Sequence, residues 1–262
     1  MKQRIQTAIL ALIVFTPFVI YGGWPFTLFV YFLATIALVE LIRMRKGASN
    51  IIPLLLGIGL VWVVLLQITG DTIPGVWFTK IEGVVLFVML LLAYTVLAKN
   101  KFSFDDAGFI LIAAIYVGIG FYYLIETRAA GFNYIFFVLF VIWATDTGAY
   151  FFGRALGKKK LWPVISPNKT IEGAFGGILA ACVVGIVFQL IHPFDFSMIT
   201  IVGVSVFVSV AGQIGDLVES AFKRHYDVKD SGKILPGHGG ILDRLDSLLF
   251  VLPLIHFIHF IS

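Results

Sequence analysis

The sequence predicts an all-α integral membrane protein with about nine transmembrane helices. Of its 262 residues, 60% are hydrophobic and only 13% are charged, whereas a soluble domain has roughly 25% charged residues. Apolar runs of about 20 residues, the length that crosses a bilayer, follow one another along the whole chain. We predict spans at about 5–23, 25–42, 51–69, 76–98, 107–126, 132–152, 171–191, 198–222 and 240–261.

Glycine- and proline-containing turns separate the spans that would otherwise merge. The segment 21–25 divides the first two, and the segment 70–75 divides the third and fourth. We predict a single transmembrane domain over residues 1–262, in which 1–130 is mainly scaffold and 131–262 is the catalytic half. In the scaffold, Glu40 and Glu82 lie near span ends, where the interface is the favoured place for a carboxylate.

The basic residues set the expected orientation. If the N-terminus is cytoplasmic, only Lys80 and Arg128 of the 19 Lys and Arg residues fall outside the inner segments. The positive-inside rule therefore predicts a multi-pass protein of the cell (inner) membrane with a cytoplasmic N-terminus and an external C-terminus. An odd number of spans agrees with this.

A charge-dense segment, Ser220–Asp246, lies between the last two apolar runs. Its charged side chains of both signs include Lys223, Arg224, Lys229, Lys233, Arg244, Asp227, Asp230, Asp243 and Asp246. A polar loop of this kind is a poor packing element between two spans. It indicates a site for an anionic ligand together with a metal ion.

Four aspartates are expected near one depth, because Asp146, Asp216, Asp243 and Asp246 all lie close to the inner ends of their spans and a helix rises about 1.5 Å per residue. Carboxylate oxygens suit Mg²⁺, which bridges protein groups to substrate phosphates. We predict Asp216, Asp243 and Asp246 as ligands of Mg²⁺. Structural ion pairs are the alternative, and Asp146 could instead orient a basic residue.

Residues on the eighth span form a polar face. Steps of three or four place Gln213, Asp216, Glu219, Ser220 and Lys223 on one side of a helix. The loop that follows is short, so the last two spans should be antiparallel neighbours. Their carboxylate-bearing faces could then meet.

The inner loop at 153–170 offers a second anion site. Ser166 and Pro167 are typical of an N-cap and a first helical position. A helix N-terminus flanked by Asn168, Lys169 and Thr170 would bind phosphate. The lysines at 158–160 are better explained as positive-inside anchors.

Two glycine patterns have different interpretations. In the turn 236–240, glycines beside His238 allow backbone N–H groups to approach an anion, so we predict phosphate or pyrophosphate contact there. Small residues that recur every four positions allow close helix packing; they are Gly173, Gly177, Ala181 and Gly185. This stripe could pack within the chain or between the protomers of a homodimer.

The charged segment resembles a family motif. The matching positions are Ser220-x-Phe222-Lys223-Arg224, then Lys229-Asp230-x-Gly232, then Leu235-Pro236-x-His238-Gly239-Gly240-Ile241-x-Asp243-Arg244-Leu245-Asp246. This pattern is similar to that of the phosphatidate cytidylyltransferases, also called CDP-diacylglycerol synthases. A second segment, Ser166-Pro167-Asn168-Lys169-Thr170-Ile171-Glu172-Gly173, resembles another motif of the same family.

The resemblance implies a reaction of CTP with phosphatidate that gives CDP-diacylglycerol and pyrophosphate, with Mg²⁺ as cofactor. We assign catalytic roles to Asp216, Lys223, Arg224, Asp243 and Asp246. We assign substrate binding to Asp146, Ser166, Asn168, Lys169, Thr170, Glu172, Ser220, Lys229, Asp230, His238, Gly239, Gly240 and Arg244.

Two other functions stay open at this point, and no nucleic-acid partner is expected. One is a related membrane enzyme that uses CTP on another lipid phosphate or moves a phosphatidyl group. The other is an ion or solute transporter with an intramembrane acidic site. The polar residues cluster at one side of the membrane and the chain has no inverted repeat, which argues against transport.

Overall fold

The chain folds as helices joined by short connections. The computed structural model describes residues 2–45, 51–67, 79–99 and 101–261. Within these ranges the helices are α1 (Lys2–Tyr21), α2 (Gly23–Met44), α3 (Ile51–Leu65), α4 (Lys80–Leu97), α5 (Phe104–Ala130), α6 (Phe132–Leu156), α7 (Ile171–Ile191), α8 (Met198–His225) and α9 (Leu242–Phe257). The predicted all-α fold is confirmed.

Six of these helices are long and apolar enough to cross a membrane, namely α2, α4, α5, α6, α7 and α8. Two shorter apolar helices, Ile9–Tyr21 within α1 and α3, accompany them. The chain is therefore a multi-pass membrane protein, and nine as the number of spans stays a prediction. Gly22 and Gly23 separate α1 from α2 with positive φ values of 69° and 58°, and the predicted turn at 70–75 lies outside the described residues.

Two compact units make up the described chain. The first contains the described residues up to Ile125 together with Asp230–Asp243. The second contains Glu126–Lys229 and the described residues from Arg244 onward. The charged segment therefore contributes to both units, and the prediction of one transmembrane domain with a scaffold half and a catalytic half stays a prediction.

The expected helix start at Ser166 is wrong. Ser166–Thr170 forms a strand, β2, that pairs antiparallel with β1 (Lys160–Trp162). The fixed φ of Pro167 suits extended backbone as well as the first turn of a helix, and pairing with β1 decides between them. Helix α7 begins at Ile171 instead, where the Thr170 side chain accepts a hydrogen bond of 3.1 Å from the Gly173 amide.

The small-residue stripe packs within the chain, inside the second unit. A Cβ atom on Gly177 would lie 2.8 Å from the Thr145 carbonyl oxygen of α6. A Cβ on Gly173 would lie 2.8 Å from the Ala149 carbonyl, also on α6. The two backbones can approach this closely only because neither glycine has a side chain.

We expect Gly177→Ala to destabilise the protein, because its new methyl group must push α6 away from α7. Overpacking of this kind typically costs about 1–3 kcal/mol. Thermal unfolding in detergent would measure the loss. Gly203→Ala on α8 is the matched control, since a Cβ at Gly203 meets no atom within 4 Å. Equal stability of the two variants would contradict the packing argument.

Helices α8 and α9 are antiparallel neighbours in the second unit, as predicted. A Cβ on Gly215 would lie 2.7 Å from Phe250 Cβ, and one on Gly212 would lie 3.7 Å from Val251 Cγ2. A later residue of α9 therefore contacts an earlier residue of α8, as it does in an antiparallel pair. This packing places Asp246, at the end of the charged segment, beside α8.

Candidate active site

Charged side chains from four elements form one group in the second unit. They come from α6, β2, α8 and the early part of α9, and three of them are aspartates. We call this group the charged cluster; its members are Asp146, Lys169, Asp216, Lys223, Arg244 and Asp246.

Asp216 lies on α8 and pairs with a lysine of β2. Its Oδ2 atom forms an ion pair with Nζ of Lys169, and its Oδ1 atom accepts a hydrogen bond of 3.3 Å from Ser220 Oγ. The Lys169 and Asp216 side chains are 27% and 32% exposed. Lys169 lies on β2, the strand that was predicted to be a helix start, and this strand places Lys169 beside Asp216. Both groups therefore remain reachable by a charged ligand.

Asp146 adds a second carboxylate from α6. Its side chain is exposed and interacts electrostatically with Asp216, Lys169 and Arg244. Repulsion from Asp216 is opposed by attraction to the two cations. The surroundings of Asp146 therefore fit either of the roles considered from the sequence, metal binding or orientation of a basic residue, and its predicted contact with substrate stays a prediction.

Asp246 supplies a third carboxylate and is only 8% exposed. Its Oδ1 atom accepts a 2.7 Å hydrogen bond from the Ser247 amide. It also interacts electrostatically with Asp216, Asp146 and Lys223. A buried carboxylate near two others is costly unless cations offset the charge.

Lys223 lies between two acids. It forms an ion pair with Glu219, one turn earlier on α8, whose side chain is fully buried. Since Lys223 also interacts electrostatically with Asp246, it is held by charge on both sides. The predicted polar face of α8 is confirmed by these contacts, and Glu219 is a partner of Lys223 to which the sequence analysis gave no role.

Residues predicted to act in catalysis or substrate binding hold the β1–β2 hairpin. Arg224 Nε donates a 3.3 Å hydrogen bond to the Ile165 carbonyl. The Glu172 carboxylate accepts hydrogen bonds of 3.1 Å and 3.2 Å from the amides of Lys158 and Lys159. The Arg224 contact holds the turn of the hairpin, and the Glu172 contacts hold its base together with the Thr170 cap. Their predicted contacts with substrate remain predictions, as do those of Ser166 and Asn168.

In the first unit, Asp243 orders the glycine-rich turn. Its Oδ2 atom accepts hydrogen bonds from the Ser231 amide, the Ser231 hydroxyl and the Gly240 amide, each 2.8 Å long. The Gly240 amide, which we expected to face an anionic ligand, thus faces Asp243. Asp243 as a metal ligand remains a prediction.

The other members of this turn lie at or near the surface. Gly239 has a positive φ of 87°, and Leu235 and Gly239 form an isolated β-bridge. His238 donates its amide to the Leu235 carbonyl over 2.9 Å. The side chains of Lys229 and Asp230 are exposed, the former in the second unit and the latter in the first.

Glu40 is the main residue whose contacts the sequence analysis missed. Its expected interfacial depth stays a prediction, but its side chain is only 4% exposed. Its carboxylate accepts hydrogen bonds from the amides of Ile241 (3.1 Å) and Leu242 (3.0 Å) at the start of α9. A helix N-terminus offers unpaired N–H groups and a partial positive charge, which is why a buried carboxylate is tolerated there. The signal in the sequence was a lone acid in a strongly apolar run.

The charged cluster fits a magnesium ion in donor type and in charge. No group of three or more His, Cys, Asp or Glu side chains in the described parts of the chain could hold a metal ion unaided. Mg²⁺, however, is usually held by one or two carboxylates and completes its shell with water and substrate phosphates. Asp216 and Asp246, with Asp146 nearby, supply carboxylates whose mutual repulsion a cation would relieve.

Comparison with known proteins agrees with the resemblance seen in the motifs. The model of the cytidylyltransferase family matches residues 2–262. The phosphatidate cytidylyltransferase of Bacillus subtilis is 53% identical over 261 residues, covering 98% of this chain and 97% of its own length. Those of Staphylococcus epidermidis and Staphylococcus aureus are 50% and 49% identical over 257 residues, with 98% of each chain covered. A match over the whole length, in both the charged segment and the apolar spans, shows that the chain belongs to the cytidylyltransferase family.

Proposed function

We propose that this protein transfers the cytidylyl group of CTP to phosphatidate and releases pyrophosphate. The observation that carries the proposal is the charged cluster, in which three carboxylates and several cations meet beside membrane-spanning helices. A nucleotide triphosphate and a lipid phosphate both need cationic partners, and a lipid substrate needs a site next to the bilayer. The names of the relatives support the same reaction.

In this reaction an oxygen of the phosphatidate phosphate forms a bond to the α-phosphorus of CTP. The bond between the α-phosphorus and the bridging oxygen breaks, and its electron pair leaves with pyrophosphate. A phosphate monoester is already ionised near neutral pH, so the attacking oxygen needs little help from a general base. Catalysis then rests on alignment of the two phosphates and on neutralisation of their charge.

The cations of the charged cluster supply that neutralisation. Lys169, Lys223 and Arg244 would bind phosphate oxygens, as would Arg224, the residue after Lys223, since charge-assisted contacts to phosphate are among the stronger hydrogen bonds. The ion pairs with Asp216 and Glu219 hold two of these ammonium groups in place before the substrate arrives. Preformed orientation lowers the cost of ordering long side chains during the reaction.

Asp216 and Asp246 would hold Mg²⁺, with Asp243 a further ligand predicted from the sequence. When bound, the ion would place positive charge against the nucleotide phosphate oxygens. The predicted contacts of Ser220, Lys229, Asp230, His238 and Gly239 with substrate belong to the same proposal.

The proposed reaction can be tested with purified protein in detergent and CTP labelled at the α-phosphate. Phosphatidate and Mg²⁺ should convert the label into a form that extracts into organic solvent, with one pyrophosphate released per label transferred. Diacylglycerol, which lacks the phosphate, should accept none. Transfer to an isoprenoid phosphate but not to phosphatidate would favour the related-enzyme alternative, and absence of transfer to any lipid phosphate would contradict the proposal. Removal of Mg²⁺ by a chelator should stop the reaction.

We also propose that the protein lies in the cell membrane with its N-terminus and charged cluster on the cytoplasmic side. CTP is a cytoplasmic nucleotide, and the basic residues follow the positive-inside rule. A reporter fused after Ser262 should therefore be active only outside the cytoplasm. Reporter activity inside the cell would mean that the number of spans is even.

A further inference from the structure

Glu40 connects α2 to a distant part of the chain within the first unit. Its contacts are with residues 231, 241 and 242, about two hundred positions later in the sequence. The residues around Glu40 on α2 are apolar and many are fully buried. Packing alone does not require a carboxylate here, and a buried carboxylate is costly unless it is hydrogen-bonded.

The carboxylate of Glu40 spans the start of α9. Its two oxygens accept from consecutive amides, Oε1 from Ile241 and Oε2 from Leu242. These N–H groups have no partner within the helix. A single carboxylate therefore fixes both the position and the direction of the first turn of α9.

Two glycines of the family motif leave room for this carboxylate. A Cβ on Gly232 would lie 2.7 Å from Glu40 Cδ, and a Cβ on Gly240 would also collide with the carboxylate. Every other residue type has a Cβ and would displace Glu40. Glu40, a residue outside the motif, therefore accounts for the glycine at 232, and Glu40 together with the Ser231 hydroxyl accounts for the glycine at 240.

Ser231 connects Glu40 to Asp243 through its hydroxyl group. The Ser231 hydroxyl donates to Asp243 Oδ2 over 2.8 Å and lies 3.4 Å from Glu40 Oε2. Asp243 in turn accepts from the Gly240 amide, immediately before the amides that Glu40 holds. Glu40 and Asp243 thus tie the same short turn from two sides, with Ser231 between them.

We propose that Glu40 is a positioning residue for the reaction, because it fixes the start of α9 and so orients the Asp243 carboxylate. The inference rests on the proposed function for its effect on turnover. Glu40 itself is not expected to contact the reacting phosphates. Its influence passes through the backbone of residues 241 and 242.

The test compares Glu40→Gln with Glu82→Gln. Glutamine keeps the size of the side chain, but its NH₂ group cannot accept a hydrogen bond, so one of the two α9 amides loses its partner. Glu82 is the matched control: it also caps a helix of the first unit, accepting the Thr79 amide over 2.7 Å at the start of α4, and it is exposed. Both variants lose a helix-capping carboxylate, but only one loses contact with the α9 turn.

Two measurements on folded protein decide the question. Hydrogen exchange of a peptide covering residues 241 and 242 should become faster in Glu40→Gln and stay unchanged in Glu82→Gln. In the same samples, kcat should fall about tenfold to a hundredfold for Glu40→Gln, as expected for a misplaced group, while KM for CTP changes less than threefold. Glu82→Gln should keep the kcat of the unaltered protein.

If Glu40 only stabilises the fold, the expected activity is different. Activity per folded molecule would then be normal in Glu40→Gln, and that result would overturn the proposal, as would unchanged exchange at residues 241 and 242. If Glu40→Gln does not fold, Glu40→Asp serves instead: it keeps the charge but is one methylene too short to reach both amides. Normal kcat in folded Glu40→Asp would overturn the proposal, and a reduced kcat with faster exchange would support it.

Failure of the proposed function would look different again. The unaltered protein would then transfer no cytidylyl group, and kcat could not be measured in any variant. The exchange experiment does not depend on turnover and would still report whether Glu40 fixes the turn that carries Asp243.

Discussion

An Asp216→Asn variant is expected to lose more than 99% of turnover while keeping its fold. Asparagine has nearly the same shape but no charge to hold Mg²⁺ or to pair with Lys169. The lost ion pair should cost little stability, since both partners are about a third exposed and pairs of this kind contribute about 0–1 kcal/mol. The loss of activity would therefore far exceed the loss of folded protein.

The measurement is turnover across a Mg²⁺ titration, together with thermal unfolding in detergent. Asp106→Asn is the matched control, because Asp106 also pairs with a basic residue, Arg45, and both partners are 28% exposed. Asp106 belongs to the first unit and lies outside the charged cluster. An Asp216→Asn protein that is unstable but shows normal dependence on Mg²⁺ would contradict metal binding and leave Asp216 as a partner of Lys169.

Features that depend on neighbours in the sequence were predicted well. The lengths of the apolar runs predict the positions of the helices. The spacing of polar residues by three or four predicts the shared face on α8, where Asp216 contacts Ser220 and Glu219 contacts Lys223. The short connection after α8 gives an antiparallel α9. In each case the controlling interaction joins residues a few positions apart, so the pattern alone carries the information.

Features that depend on a hydrogen-bond partner in another element were missed. Ser166 and Pro167 suit either a strand or a helix start, and the partner strand at Lys160–Trp162 makes the choice. Glu40 looks like an interfacial acid until the amides of Ile241 and Leu242 are placed beside it. Local pattern could show that these residues were unusual but could not show what they contact.

Asp243 combines a local structural role with a predicted chemical role, and two substitutions separate the roles. In Asp243→Asn, the amide oxygen can take the place of Oδ2 and accept the same three hydrogen bonds from Ser231 and Gly240. The turn should then be kept, but the charge is lost. In Asp243→Ala, the Ser231 amide and hydroxyl and the Gly240 amide lose their acceptor, and each buried group left unpaired costs about 1–3 kcal/mol.

If Asp243 serves the reaction through its charge, Asp243→Asn should fall below 1% of normal turnover and unfold at nearly the normal temperature. Asp243→Ala should be equally inactive and clearly less stable. Ser231→Ala is the control for the turn, because it removes one hydrogen bond to Asp243 but keeps the charge, and it should retain part of the turnover. Turnover that follows stability across all three variants, with Asp243→Asn nearly normal, would show that Asp243 acts only by ordering the turn, since the loss of a charged ligand should weaken the binding of a hard cation.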